Sequence, residues 1–152
     1  MGGRINAAGI FLGTVLIDQL VKCYVERTML PGESIPVAAQ VFHITYVLNP
    51  GAAFGIFRHQ QWLFLVTAMV FCGFFFVFYR RLCRSGRLIH YGSVAFAAGA
   101  VSNLIDRIRT GHVIDFFDFR IWPVFNVADI AIVLGTAAVL WALFVQKKEI
   151  RP

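Results

Sequence analysis

The sequence predicts an all-α membrane protein with four transmembrane helices and a small extracytoplasmic sheet. Three observations carry that prediction. Four apolar runs, 6–25, 61–79, 88–106 and 124–145, each approach the roughly 20 residues that a helix needs to cross a hydrocarbon core of about 30 Å. Of the 152 residues, 59% are hydrophobic and only 14% charged, whereas soluble domains carry about 25% charged residues. The third observation is where the charge lies: most Lys and Arg flank the apolar runs. A net charge of +6 distributed in this way orients helices in a bilayer and does not form a nucleic-acid-binding stripe. No repeat, low-complexity tract or flexible linker divides the chain, so residues 1–152 are read as a single integral membrane domain.

The first run carries Asp18, Gln19 and Lys22 in its second half. Its only small-residue cleavage candidate, Val37-Ala38-Ala39, lies far beyond the apolar stretch, so the run is expected to be a retained helix and not a removed leader. The second run is free of charge and rich in Phe, as lipid contact and helix packing require. The third contains Ala97-Ala98-Gly99-Ala100, small residues that let membrane helices approach closely. The fourth is interrupted only by Asn126 and Asp129 near its start.

Arg4, then Arg80, Arg81, Arg84 and Arg87, then Lys147, Lys148 and Arg151 mark three regions of one side, with Glu149 their only acid. The positive-inside rule makes that side, and both termini, cytoplasmic. The opposite connections are longer. One contains Val41-Phe42-His43-Ile44-Thr45-Tyr46-Val47, β-branched and aromatic, between Pro36 and Asn49-Pro50-Gly51, which predicts a small sheet on the outer membrane surface. The other repeats the theme with Val113-Ile114-Asp115-Phe116-Phe117.

Ionisable groups within a membrane cost about 2.5–3.5 kcal/mol each on insertion scales and are functional hypotheses by default. At 1.5 Å per residue, Asp18 lies roughly 18 Å and Lys22 roughly 24 Å along the first helix, in its outer half. Asp106 closes the third run and Asp129 opens the fourth, both on the outer side, with Asp115 between them. Each has a local explanation. Asp18 and Lys22 stand i,i+4 and neutralise one another. Asn126 and Asp129 have the spacing of a capping box. Asp106 could pair with its neighbour Arg107. Capping and pairing do not, however, require several acids to converge at one depth. Two carboxylates sharing a site of low polarity divide one proton between them, so one can activate water while the other protonates a carbonyl oxygen. His43, His59, His90 and His112 show no metal-site spacing, and Cys23, Cys72 and Cys83 form no CxxC. Neither metal nor organic cofactor is expected.

Five ordered blocks, Asp18-Gln19-Leu20-Val21-Lys22, Asn49-Pro50-Gly51-Ala52-Ala53-Phe54-Gly55, the segment from Gly99 through Asn103 and Asp106 to Arg107, Val113-Ile114-Asp115-Phe116 and Phe125-Asn126-Val127-Ala128-Asp129, span nearly the whole chain. Together they resemble the bacterial lipoprotein signal peptidase (signal peptidase II) family. The resemblance implies an aspartic endopeptidase of the bacterial inner membrane, working near the outer leaflet and inhibited by globomycin. It would remove the signal peptide from prolipoproteins whose cysteine already carries diacylglycerol, cutting just before that cysteine. It also implies an outer β-cradle and, after the third span, a short outer loop or helix. By match to the blocks, Asp115 and Asp129 would be the catalytic dyad. Asn49, Gly51, Asn103, Arg107 and Asn126 would support the dyad or hold substrate, while Asp18, Lys22 and Asp106 would be structural. Ser102, where the family usually has Gly, is expected only to tighten backbone packing, and Leu48 stands where a basic residue is frequent. The rival readings are a small proton-coupled transporter using Asp18, whose site would lie near the midplane, and a non-catalytic scaffold.

Overall fold

A computed structural model describes residues 2–51 and 61–150. Among these residues, four helices and three strands follow in the order α1 (Gly2–Thr28), β1 (Ser34–Ala38), β2 (Phe42–Asn49), α2 (Gln61–Leu82), α3 (Arg87–Thr110), β3 (Val113–Asp118) and α4 (Val127–Ile150). The fold is mostly helical, with one small antiparallel sheet. Among the described residues, Asn6–Thr28, Arg87–Thr110 and Val127–Gln146 are long and apolar enough to cross a membrane. Residues 52–55 of the second sequence block, together with Arg58 and His59, lie outside the described residues.

Helix α3 is the hub. Half of its apolar window is buried, against 17% in α1 and 11% in α4, so α3 is wrapped by protein while its neighbours turn apolar faces outward. Phe76, Val77, Leu134 and Trp141 are among those exposed side chains, which only a lipid surrounding makes inexpensive. Small residues bring α3 against α4, as their spacing predicts: Ala97, Ala98 and Gly99 are buried. A methyl group on Gly92 would lie 2.9 Å from the Gly135 carbonyl oxygen, and one on Gly99 would strike the Ala128 carbonyl. Any larger side chain at either position would push the helices apart. The helix ends at Gly111, whose left-handed conformation (φ 77°) lets its N–H donate to the Arg107 carbonyl.

The strands form one sheet in the order β1-β2-β3. Ser34 pairs with Thr45 in one ladder, and Val47 with Asp115 and Asn49 with Val113 in the other. This corrects the expectation of a loop or helix between the third and fourth spans. The connection supplies a strand, because the β-branched and aromatic residues of Val113-Ile114-Asp115-Phe116-Phe117 pair with the edge of β2. Tyr46, Ile114 and Phe116 beneath the sheet pack on Val25 and Met29, so the sheet is seated on the end of α1. The fourth helix starts three residues into its apolar run. Phe125 is held out of it by a backbone bridge to Phe117, and Asn126 caps the first turn.

Candidate active site

The polar residues of the five blocks meet where α1, α3, β3 and the start of α4 converge. Lys22 lies 2.7 Å from Asp18, one turn away on α1, and 2.7 Å from Asp106 on α3, all three without exposed surface. Asp106 therefore has Lys22 as its ion-pair partner, where sequence adjacency suggested Arg107. Its oxygens also accept from the Gln19 amide (2.8 Å) and the backbone N–H of Ile114 (3.2 Å), tying α1 and β3 to α3. Asp18 accepts the backbone N–H of Ala128 at 2.8 Å. A carboxylate from α1 thus satisfies an orphan donor in the first turn of α4, where negative charge is favoured.

Asn126 and Asp129 form the capping box in full. The Asp129 N–H donates to Asn126 Oδ1 (2.8 Å), and the Asn126 N–H donates to Asp129 Oδ2 (3.3 Å). The local explanation holds, yet it does not exhaust the two residues. Asn126 Nδ2 also donates to Asp115 Oδ1 at 2.7 Å, and Asn103 Nδ2 donates to Asp129 Oδ1 at 2.8 Å. Asn49 Nδ2 donates to the other oxygen of Asp115 at 2.9 Å, its own Oδ1 accepting from the N–H of Gly51. Asp115 and Asp129 line one cleft of about 440 Å³ together with Asn49, Gly51, Asn103 and Arg107. Asp115, only 2% exposed, has its carboxyl pushed up to about 7 by burial, with the nearby Asp129 charge adding to the rise. The bonds from Asn49 and Asn126 and the charge of Lys22 oppose it. Near neutral pH this carboxyl can therefore hold or release a proton.

Sequence reasoning assigned no contact to Gln19 or Trp122 and gave Ser102 only a packing role. Ser102 is fully buried and donates its hydroxyl to Asp18 at 2.7 Å, while Gln19 donates to Ser102 as well as to Asp106. The departure from Gly at this position therefore adds a hydrogen bond. A polar residue in an apolar run was the available signal for both. Trp122 and Phe125 line the cleft, and only the position of the connection reveals it. Leu48 pairs with Ile114 in the sheet.

The signal peptidase II family model matches residues 10–145. The chain belongs to that family. The lipoprotein signal peptidase of Halothermothrix orenii is 45% identical over 91% of this chain and 95% of its own length, and that of Pelotomaculum thermopropionicum is 46% identical over 85% of each. A solved bacterial membrane enzyme superposes with a TM-score of 0.88 over 95% of this chain and 90% of that one, at 28% identity. A second does so with a TM-score of 0.82 over 91% and 92%, at 30% identity. As a signal peptidase II, the chain is a multi-pass membrane protease.

Proposed function

We propose that this signal peptidase II removes the signal peptide from diacylglyceryl-modified prolipoproteins by cutting just before the lipidated cysteine, with Asp115 and Asp129 as its catalytic dyad. One observation supports the dyad above all: two carboxylates from different elements face one cleft, each held by asparagine amides. A water between them attacks the scissile carbonyl; the ionised carboxylate takes its proton and the neutral one donates to the developing oxyanion. Asn49, Asn103 and Asn126 hold the carboxylates, Gly51 orients Asn49, and Arg107 offers its guanidinium to the peptide in the cleft. No metal or organic cofactor enters the reaction.

In this reading all four helices span the bacterial inner membrane, with α2 as the fourth span. Both termini are cytoplasmic, residues 1–152 form one domain, and the dyad sits near the outer leaflet. The substrate's acyl chains remain among membrane lipids, which reduces the search for the scissile bond to two dimensions. An apolar groove of about 260 Å³ between α2, α3 and α4 shares Phe71 with the cleft, which suits such a chain. The transporter reading is disfavoured because Asp18 has no exposed surface and is engaged by Lys22, Ser102 and Ala128. Purified protein in detergent should cleave a diacylated lipobox peptide before its cysteine, leave the unlipidated peptide nearly untouched, and be blocked by globomycin. Equal turnover of both peptides would remove the role assigned to the lipid.

A further inference from the structure

An asparagine amide has two unlike ends, an acceptor oxygen and a donor nitrogen, and half a turn exchanges them. In a buried site the neighbours decide which end points where. Asn103 Oδ1 accepts from Lys22 Nζ at 2.8 Å and from Asn126 Nδ2 at 3.2 Å, so both of its lone pairs are used. Reversed, its NH2 group would face an ammonium and a second NH2 group, and buried donors would lack acceptors. Asn103 Nδ2 is consequently directed at Asp129. The same contact orients Asn126, whose NH2 group points toward Asn103 and donates to Asp115 while its oxygen accepts the Asp129 N–H.

The ammonium that sets this order cannot turn away. Its three N–H bonds go to Asp18, Asp106 and Asn103, at 2.7, 2.7 and 2.8 Å, with no exposed surface. Neutralising two buried carboxylates would need only the first two contacts. The third leads to an amide whose other end touches the dyad. We infer that Lys22, which contacts neither dyad carboxylate in this structure, is a positioning residue for the reaction: it locks the Asn103 amide and so aims a donor at each carboxylate. This inference rests on the dyad assigned above.

Replacing Lys22 alone would strand two buried acids, so the test pairs Lys22→Met with Asp106→Asn, which removes one positive and one negative charge. The reference is Asp106→Asn alone. Per folded molecule, kcat should fall about 10- to 100-fold, the scale of a slightly misplaced reacting group, with KM within twofold. The alkaline limb of the pH profile should move upward, since the Lys22 charge and the aimed donors both favour ionised Asp115. In an Asn103→Ala background the Lys22 change should lower kcat no further, because the amide through which it acts on kcat is already gone. An unchanged kcat in folded protein, or a full-sized effect in that background, would overturn the inference. Should the paired variant fail to fold, side-chain amide NMR of the unaltered protein decides. The Asn103 NH2 resonance should exchange slowly and follow titration of the dyad, and a freely rotating, rapidly exchanging group would sink the idea. Normal turnover by Asp115→Asn would instead overturn the dyad while leaving the amide geometry to the NMR result.

Discussion

Two groups of aspartates lie within one hydrogen-bonded network and are held in opposite ways. Asp18 and Asp106 clasp Lys22 at 2.7 Å, have no exposed surface and accept backbone N–H groups from α4 and β3. Asp115 and Asp129 receive asparagine and backbone donors, and both open onto the cleft. Acids bonded to an ammonium in a dry interior tie segments together. Asp115, bonded to neutral amides beside another acid, has a carboxyl that can hold or release a proton near neutral pH. Identical side chains are thus sorted by their partners, and depth alone would not have separated them.

The sharpest way to break this contrast is to remove one ionisable oxygen from each group. Asp115→Asn and Asp129→Asn retain shape and one acceptor oxygen, but each turns an NH2 group toward one of the donors that held the carboxylate, so the melting temperature should fall modestly. Cleavage per folded molecule should fall by at least the roughly 10²- to 10⁴-fold associated with general acid–base catalysis. Asp106→Asn should do the reverse, losing about 3–5 kcal/mol of stability as a buried pair is broken, visible as lower yield and melting temperature, while folded protein still cleaves. Inactive but fully stable Asp106→Asn beside active Asp115→Asn would invert the assignment.

A subtler test uses the proton. With the Asp115 carboxyl at about 7, a dyad that needs one shared proton should lose activity as pH rises through that value, approaching a tenfold fall per unit beyond it. Asn49 donates to Asp115 and favours its ionised form. Asn49→Ala therefore raises the pKa and moves the alkaline limb upward, which a pH–rate profile of the variant would read. A downward shift would mean that Asn49 does not act on this carboxyl. The smallest effect expected is that of Ser102→Gly. It removes the hydroxyl that donates to Asp18 and accepts from Gln19, bonds worth about 1 kcal/mol each, and should lower the melting temperature slightly without altering the pH profile.

Helix positions and the level at which the polar residues gather were legible in the sequence, because lipid demands long apolar runs and makes each ionisable exception conspicuous. The capping geometry of Asn126 and Asp129 was legible too, being local. The partner of Asp106 was not. Adjacency suggested Arg107, yet successive residues on a helix point about 100° apart, and the side that faces α1 meets Lys22. The strand at Val113–Asp118 was half legible: its composition favoured β structure, but pairing depends on an edge of β2 that is distant in the chain. Gln19 and Ser102 stood out only as polar residues in apolar runs, with no local rule to join them.

By itself the sequence determined that the chain is a membrane protein, where its helices run, which side chains are too costly in lipid to be incidental, and, through five ordered blocks, its family. Those properties follow from transfer free energies and short-range spacing, both of which act residue by residue. Beyond the i,i+4 pair of Asp18 and Lys22, only the tertiary structure decided which acid meets an ammonium and which meets an amide. That depends on helix rotation and the close approach of α3 to α4 at Gly92 and Gly99, which are set by packing between segments up to 110 residues apart.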